Sequence, residues 1–123
     1  VITDISSFFI QQTEKAIEAG VKEENIIIDP GIGFGKKLEH NLEILKRLDE
    51  FKSLGYPILL GASRKSFLGQ ILNKKAENRL SGSLAVAADA VTKGAGILRV
   101  HDVRETVDVI DTIQAIKINK LSL

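Results

Sequence analysis

The chain contains three short runs of branched aliphatic residues that are typical of buried strands. The runs cover residues 26–28, 58–60 and 97–100, and each is too short to form a helix. Every run follows a helical pattern that stops at a glycine, where a left-handed residue can end a helix. These glycines are Gly20, Gly55 and Gly94. The pattern therefore predicts a repeated unit of helix, glycine, short loop and strand.

Apolar residues also recur at the spacing of amphipathic helices, which gives each predicted helix one face to bury. The two clearest stripes are Leu38, Leu42, Leu45, Leu48 and Phe51, and Val103, Val107, Ile110 and Ile113. Residues 80–92 are rich in serine, glycine and alanine, which suits a helix packed close to a sheet. A further helix, from about residue 6 to residue 19, has no strand before it.

The order of these elements predicts a parallel sheet, because strands joined through a helix pair in parallel by right-handed crossovers. An open doubly wound sheet gathers its chemistry at the switch point, whereas a barrel can place functional residues after every strand. Polar residues stand at or just after the end of all three runs, which favours the barrel. A complete barrel takes about 250 residues. The predicted fold class is therefore α/β, a partial (β/α)₈ TIM barrel in one domain over residues 1–123.

The composition is that of an ordinary globular protein and excludes several classes of function. Seventeen basic and sixteen acidic residues give a net charge of +1, so no electrostatic footprint indicates nucleic acid or anionic lipid as a partner. No cysteine is present for a disulfide or a thiolate zinc site. No apolar run approaches the roughly 18 residues that span a membrane. We expect a cytoplasmic protein, and because methionine is absent we expect that Val1 is not its natural N-terminus.

Asp29 ends the first predicted strand and opens a glycine-rich loop that runs to Lys36. The loop fits neither phosphate-binding pattern, because a Walker loop needs glycine where Pro30 stands and the dinucleotide fingerprint needs its third glycine one residue after Gly35. Asp29 itself has two interpretations. Its carboxylate can accept two parallel hydrogen bonds from an amidine-like edge, such as that of a 2-aminopterin, or it can cap the following turn.

The second strand is followed by Gly61 and then by two adjacent cations between two hydroxyls, at Ser63, Arg64, Lys65 and Ser66. Consecutive positions direct neighbouring side chains toward different parts of a ligand, so this group can hold an anion or hydrogen-bond ring carbonyls. A pair of charges in a loop can equally be solvated, and Ser66 can cap a short helix.

Arg99 and His101 end the third strand, and the alternation of a strand sends both side chains to the same side. An arginine and a histidine side by side can clamp a phosphate, the arginine through its fork and the histidine through one N–H. Asp102 has a different interpretation, because with Glu105 three residues later it resembles an N-terminal capping pair for the last helix. We expect Asp29, Lys65, Arg99 and His101 to converge, since the ends of parallel strands meet on one face.

Three of these segments, in this order and at these intervals, resemble dihydropteroate synthase. They read DPGIGFGK at 29–36, GASRK at 61–65 and RVHD at 99–102, and the RLSGSL stretch at 79–84 is similar as well. The resemblance implies the sixth, seventh and eighth strands of the barrel, so that residues 1–123 form the C-terminal part of a pterin-binding TIM-barrel domain without its N-terminal strands. It also implies a transferase of folate biosynthesis and a sulfonamide target. That enzyme joins 6-hydroxymethyl-7,8-dihydropterin pyrophosphate to p-aminobenzoate, giving 7,8-dihydropteroate and pyrophosphate.

The resemblance implies a role for each strand-end residue. Asp29 would bind the amino-pyrimidine edge of the pterin, and Lys65 its carbonyl or ring-nitrogen side. Arg99 would lie against the pterin face and, with His101, hold the pyrophosphate, so Lys65, Arg99 and His101 are the catalytic candidates. The expected substrate-binding set is completed by Gly61 and by the residues that would line the p-aminobenzoate site, which are Phe34, Ser63 and Arg64.

The resemblance further implies magnesium, with its protein ligand in the missing N-terminal part, and a homodimer of the full-length form through the C-terminal helices. We expect the 123-residue chain to be inactive alone, because the family's first two flexible loops have no counterpart in it. Two alternatives stay open. One is a pterin-binding methyltransferase domain, against which the phosphate clamp of Arg99 and His101 argues. The other is a non-catalytic barrel fragment.

Overall fold

The computed structural model describes residues 1–119, which form five α-helices and two parallel β-strands. The helices are α1 (Ile2–Glu18), α2 (Leu38–Lys46), α3 (Ser66–Leu72), α4 (Leu80–Thr92) and α5 (Val103–Ile118), and the strands are β1 (Ile58–Leu60) and β2 (Ala95–Leu98). Short 3₁₀ helices cover Glu23–Asn25, Leu48–Leu54 and Ala76–Asn78. The crossover from β1 to β2 contains α3 and α4. The α/β class and the parallel pairing are therefore confirmed, but the described residues contain two strands where three were predicted.

The first predicted strand is reduced to a single parallel bridge between Ile28 and Ile58. The Ile28 N–H donates to the Pro57 carbonyl over 3.0 Å, and the Leu59 N–H donates to the Ile28 carbonyl over 2.9 Å. In this register the next donors on either side would be the backbone nitrogens of Pro30 and Pro57, and proline has no N–H. The prediction of a strand over residues 26–28 is therefore wrong, because two prolines stop the ladder after one bridge.

The last strand begins two residues before the predicted run and ends at Leu98. Gly94, with a φ of 107°, turns the chain from α4 directly into β2. The Arg99 N–H still donates to the Leu60 carbonyl over 3.0 Å. β1 itself ends at Leu60, which is paired with Leu98, so the two-stranded ladder ends at this pair. Arg99 therefore lies immediately after β2. The sequence had placed it inside the predicted strand, over residues 97–100.

The three predicted helix-ending glycines are confirmed by their backbone angles. Gly20, Gly55 and Gly94 have φ angles of 101°, 85° and 107°, which glycine adopts without a steric cost. Gly20 follows α1 closely, Gly55 ends the 3₁₀ helix after α2, and Gly94 follows α4. Within residues 1–119, no helix is both long enough and apolar enough to cross a membrane.

The opening helix is longer than predicted, because α1 begins at Ile2. It joins the core through Ile2 and Phe9. The Phe9 ring meets the ring of Phe51 edge to face, with 5.6 Å between the centroids, and Phe51 is completely buried. This aromatic pair connects α1 to the 3₁₀ helix that follows α2.

The predicted apolar stripe along residues 38–51 is only partly buried. Leu42 is exposed, while its neighbours Asn41 and Ile44 are buried. Within α2 the buried residues are Asn41, Ile44 and Leu45, so the buried face of this helix is rotated away from Leu42. In the 3₁₀ helix that follows, Leu48 and Phe51 are buried as the stripe predicted.

The predicted stripe on the last helix is also displaced. Val103 and Val107 are exposed, whereas Thr106 is buried and Ile110 and Ile113 are half-buried. The reason is that α5 packs mainly against α4, so the buried face of α5 is the one that turns toward this single neighbour.

Helices α3 and α4 approach each other closely at Gly82. A Cβ atom built on Gly82 would lie 2.8 Å from Leu72 Cδ1 and 3.1 Å from Leu68 Cδ2. On the same helix Ala87 and Ala90 are buried, and α4 also contacts β2. The predicted contact of this helix with the sheet is confirmed, but the close approach at Gly82 is to α3.

Candidate functional site

Lys65 lies at the centre of the predicted site residues. Its Nζ donates to the Ile32 carbonyl over 2.6 Å and lies 4.6 Å from the centroid of the Phe34 ring. A Cβ atom built on Gly33 would lie 3.1 Å from Lys65 Cδ. Lys65 therefore joins the loop after Ile28 to the loop after β1.

The charges around Lys65 are mixed, with more cations than anions. Burial lowers the pKa of the Lys65 ammonium, the negative charge of Asp29 opposes this shift, and the positive charges of Arg99 and Lys36 add to it. Three cations share this region with one carboxylate. Because like charges close together repel, binding of an anion among them would be favourable.

Arg99 approaches the same place from the end of β2. A Cβ atom built on Gly61 would lie 3.7 Å from Arg99 Cβ and 4.0 Å from both Arg99 Cδ and Lys65 Nζ. Both cationic side chains thus reach within van der Waals distance of the Gly61 position. The structure therefore brings Gly61, Lys65 and Arg99 together at the end of β1.

His101 and Ser63 form a second pair beside this cluster. The His101 N–H donates to Ser63 Oγ over 3.3 Å, and His101 Nδ1 lies 3.0 Å from the same hydroxyl. The serine therefore orients the imidazole through its Nδ1 side and leaves Nε2 for another partner. Ser63, which was predicted for the p-aminobenzoate site, is in direct contact with the predicted pyrophosphate ligand His101.

Asp29 caps a turn and is also exposed at the site. Its Oδ1 accepts a hydrogen bond from the Gly31 N–H over 2.8 Å, as the capping interpretation predicted. Its Oδ2 accepts no hydrogen bond from the described residues, and an open groove of about 310 Å³ beside it is lined by Phe8, Gly31 and Lys36 among others. One carboxylate oxygen can thus hold the turn while the other binds a ligand, so the two interpretations are compatible.

Arg64 turns away from its neighbours and pairs with Asp102. Its Nη2 and Nε donate to the two Asp102 oxygens over 2.7 and 3.2 Å. These hydrogen bonds raise the pKa of the Arg64 guanidinium and lower the pKa of the Asp102 carboxyl. The Asp102 side chain makes no capping bond at the start of α5. The predicted capping pair with Glu105 is therefore wrong, because the carboxylate forms a charge-assisted bidentate pair instead.

The capping role considered for Ser66 is also wrong. Ser66 is the first residue of α3 and Lys65 occupies the capping position, with no side-chain hydrogen bond there. Phe34, in contrast, is available to a ligand, because the residue is 72% exposed and its ring contacts Lys65.

Two residues that hold the loop after β1 were not identified from the sequence. Ser83 Oγ accepts from the Arg64 N–H over 2.9 Å, and Arg79 Nη1 donates to the Arg64 carbonyl over 2.9 Å. Both lie in the 79–84 stretch, which carried only a family likeness and no role. These bonds cross 19 and 15 residues of sequence, so no local pattern could have revealed them.

Asn41 is a third residue with a missed role. It is buried, and its Oδ1 accepts from the Gly33 N–H over 2.9 Å. Lys36 Nζ donates to the Gly31 carbonyl over 2.8 Å and closes the same loop on itself. The available signal was an amide side chain three residues after Leu38, beside the predicted apolar stripe, because a buried polar group requires a partner.

The described residues do not fit a magnesium site. Within residues 1–119, no three His, Cys, Asp or Glu side chains are grouped to hold a metal ion. Asp102 is committed to Arg64, and Asp29 lies in a region with an excess of cations.

Comparison with known proteins gives matches over most of the chain. A family model described as "Pterin binding enzyme" matches residues 1–101. The chain is 47% identical over 115 residues to the dihydropteroate synthase of Escherichia coli strain K12, covering 94% of this chain and 41% of that protein. It is 55% identical over 91 residues to the dihydropteroate synthase of Clostridium beijerinckii, covering 73% and 34%. The chain thus spans well under half the length of these curated relatives.

Solved structures match the fold as well. The dihydropteroate synthase of Yersinia pestis, solved as a complex with a sulfonamide drug, superimposes with a TM-score of 0.94 at 43% identity, over 97% of this chain and 43% of that one. The Clostridium difficile enzyme, in the presence of pteroic acid, gives a TM-score of 0.92 at 46% identity, over 94% of this chain and 44% of that one. The arrangement of two parallel strands and helices therefore matches part of these barrel structures.

Proposed function

The chain belongs to the pterin-binding enzyme family, and we propose on this premise that it forms the C-terminal part of a dihydropteroate synthase barrel, residues 1–123 contributing the sixth, seventh and eighth strands. The Ile28 bridge, β1 and β2 would mark these three strand positions. The chain spans 41% of the Escherichia coli relative, so in this proposal other strands and loops complete the enzyme.

The proposed reaction is the condensation of 6-hydroxymethyl-7,8-dihydropterin pyrophosphate with p-aminobenzoate. The lone pair of the aromatic amine forms a C–N bond to the pterin methylene carbon. The C–O bond to pyrophosphate breaks and its electron pair departs with the leaving group, while the amine loses a proton. Because the leaving group is strongly anionic, the main demand on the protein is to stabilise negative charge with groups that are already in place.

The observation that carries the proposal is the convergence of Lys65 and Arg99 on Gly61, where the charge of Asp29 also acts on Lys65. Two cations that meet at one point suit the anionic and carbonyl parts of the pterin substrate. Asp29 would bind the donor edge of the pterin ring through its free oxygen, and Arg99 with His101 would hold the pyrophosphate. A pterin-binding methyltransferase would have no such anion to hold, and no feature of the site favours that alternative.

The p-aminobenzoate side of the proposal rests on Phe34, Ser63 and Arg64. The exposed Phe34 ring offers an apolar surface to the aromatic acid. Arg64 has two of its nitrogens committed to Asp102, which leaves Nη1 as its group for a ligand. Magnesium and the homodimer, both implied by the family, would involve parts of the enzyme outside the site described here.

A chimera tests the proposal. In the Escherichia coli dihydropteroate synthase, the matched 115-residue segment is replaced by this chain, and the product is assayed for dihydropteroate formation. In the chimera, Asp29→Asn should weaken the binding of both plain pterin and pterin pyrophosphate by roughly ten- to a hundredfold, because a hydrogen bond to a charged group contributes about 1.5–3 kcal/mol. Arg99→Ala should weaken the pyrophosphate-bearing ligand more strongly than plain pterin.

Calorimetric titration of both ligands measures these effects, with Arg104→Ala as a control because Arg104 is an exposed arginine on α5. Equal losses for Arg99→Ala on the two ligands would show that the anion site is misassigned. A folded chimera that binds neither ligand would contradict the proposed function.

A further inference from the structure

We propose that Arg79 is a positioning residue, which holds Arg64 in a left-handed backbone conformation and thereby places Ser63 and Lys65 in the site. The functional meaning of this inference rests on the proposed function. Its structural content concerns only the loop of residues 61–65 and can be tested without a ligand.

Arg64 has a φ of 56°, in a region that side chains other than glycine rarely adopt. Its two neighbours serve different partners, since Ser63 contacts His101 and Lys65 reaches the Ile32 carbonyl. A right-handed conformation at Arg64 would redirect the backbone on one side of it. Ser63 and Lys65 could then not both keep their partners. The positive φ of Arg64 is therefore what directs these two side chains to different sides of the site.

Two side chains hold this conformation by hydrogen bonds to the N–H and the carbonyl of Arg64. The N–H donates to Ser83 Oγ, and the carbonyl accepts from Arg79 Nη1, each over 2.9 Å. The Arg64 guanidinium is anchored to Asp102. A strained backbone persists only where its surroundings fix it, and here both backbone polar groups of the strained residue have a partner from the 79–83 stretch.

Arg79 is itself seated in a site made for it. Its Nε donates to the Lys74 carbonyl over 2.9 Å. Its guanidinium lies against Gly69 in the middle of α3, where a built Cβ would be 2.4 Å from Nη2 and 2.8 Å from Cζ. Gly69 has no positive φ, so backbone conformation does not require glycine there. Glycine is unfavourable inside a helix, and the close approach of Arg79 is what explains its presence.

Gly69→Ala is therefore the sharpest perturbation. Alanine favours the helix, so the variant should fold, but its methyl group must displace the Arg79 guanidinium from the Arg64 carbonyl. Arg79→Ala removes the same contact directly. Arg104→Ala serves as the matched control.

Nuclear magnetic resonance of the 123-residue chain supplies the measurement. The Lys65 ammonium lies 4.6 Å from the Phe34 ring centroid, so the ring current of Phe34 should shift the Lys65 side-chain protons. We expect this shift to shrink in Gly69→Ala and Arg79→Ala. Amide exchange at Arg64 should also become at least about tenfold faster, because relaxation of its backbone would separate the Arg64 N–H from Ser83 Oγ. Signals of the Phe9 and Phe51 pair report whether the remainder is folded.

A second variant tests whether Arg79 acts through the backbone conformation of Arg64 or only stabilises the chain in general. Glycine adopts a positive φ without help, so the double variant Arg64→Gly, Arg79→Ala should recover the Lys65 ring-current shift that Arg79→Ala loses. Unchanged Lys65 signals in a folded Gly69→Ala variant, or no recovery in the double variant, would overturn the inference. If the loop depends on Arg79 but the chimera binds no pterin, the proposed function fails and the positioning role of Arg79 stands.

Discussion

Replacing Gly82 with alanine should destabilise the chain, because α3 and α4 approach each other closely there. The new Cβ would lie 2.8 Å from Leu72 Cδ1 and 3.1 Å from Leu68 Cδ2. Leu68 is only 3% exposed, whereas Leu72 is 37% exposed. The Leu72 methyl group can therefore swing outward, but the Leu68 side chain has to be accommodated by movement of the helices.

Two effects of opposite sign decide the magnitude. Alanine is preferred to glycine in a helix interior by roughly 1 kcal/mol, but Gly82 lies in the first turn of α4, where the gain is smaller. Overpacking a closely packed site costs typically about 1–3 kcal/mol. The expected net result is a loss of about 1 kcal/mol in the free energy of unfolding.

Urea unfolding followed by circular dichroism measures this loss. The control is Gly96→Ala, because a Cβ built on Gly96 in β2 meets no atom within 4 Å, and that change should be neutral or slightly stabilising. The double variant Gly82→Ala, Leu72→Ala should lose less stability than the sum of the two single variants. If Gly82→Ala stabilises the chain as much as Gly96→Ala does, the two helices are not in contact as described and the reasoning is refuted.

Two further predictions concern charge and surface. Burial lowers the pKa of Lys65 in the folded chain. Between this lowered pKa and the ordinary lysine value of about 10.4, the unfolded chain therefore binds more protons than the folded chain. The free energy of unfolding should rise with pH over that range. Lys65→Met should reduce this rise, measured as the urea midpoint against pH. If the midpoint rises equally steeply with pH in both proteins, the lowered pKa of Lys65 is not its cause. The 123-residue chain should also self-associate, because Phe8, Ile27 and Val103 are among its exposed large apolar side chains. Sedimentation of a Phe8→Ser, Ile27→Ser variant should shift toward monomer, whereas a compact monomer of the unchanged chain at all concentrations would disprove the prediction.

The sequence predicts features that depend on one residue and its near neighbours. Gly20, Gly55 and Gly94 end their helices because a positive φ is an intrinsic property of glycine, and no distant contact is needed. The parallel pairing of β1 and β2 follows from their separation by helices. In contrast, the register that makes Pro57 the neighbour of Ile28 is a tertiary fact, and so the loss of the first strand could not be predicted.

In the site, too, the sequence predicted some features, while others depend on tertiary contacts. The chain order alone indicated that the loops after the strands would meet, and Lys65 joins two of them through Ile32 and Phe34. The partner of Arg64 could not be chosen from local pattern, because Asp102 is 38 residues away and its neighbour Glu105 offered a plausible capping pair. A bidentate charged bond prevailed over a local cap, and this outcome depends on how α5 is packed.

Pro30, one of the two prolines beside the Ile28 bridge, also affects how the chain avoids misassembly. Three consecutive isoleucines at 26–28 have the high β-propensity and low charge of segments that stack into cross-β fibrils. Growth of such a stack requires an uninterrupted series of backbone donors. Pro30 removes one donor only two residues after Ile28, and Asp29 adds a charge between them. Pro30, which helps to limit the native strand to one bridge, therefore also acts with Asp29 as a gatekeeper, and the two protect an aggregation-prone segment while the chain is still folding.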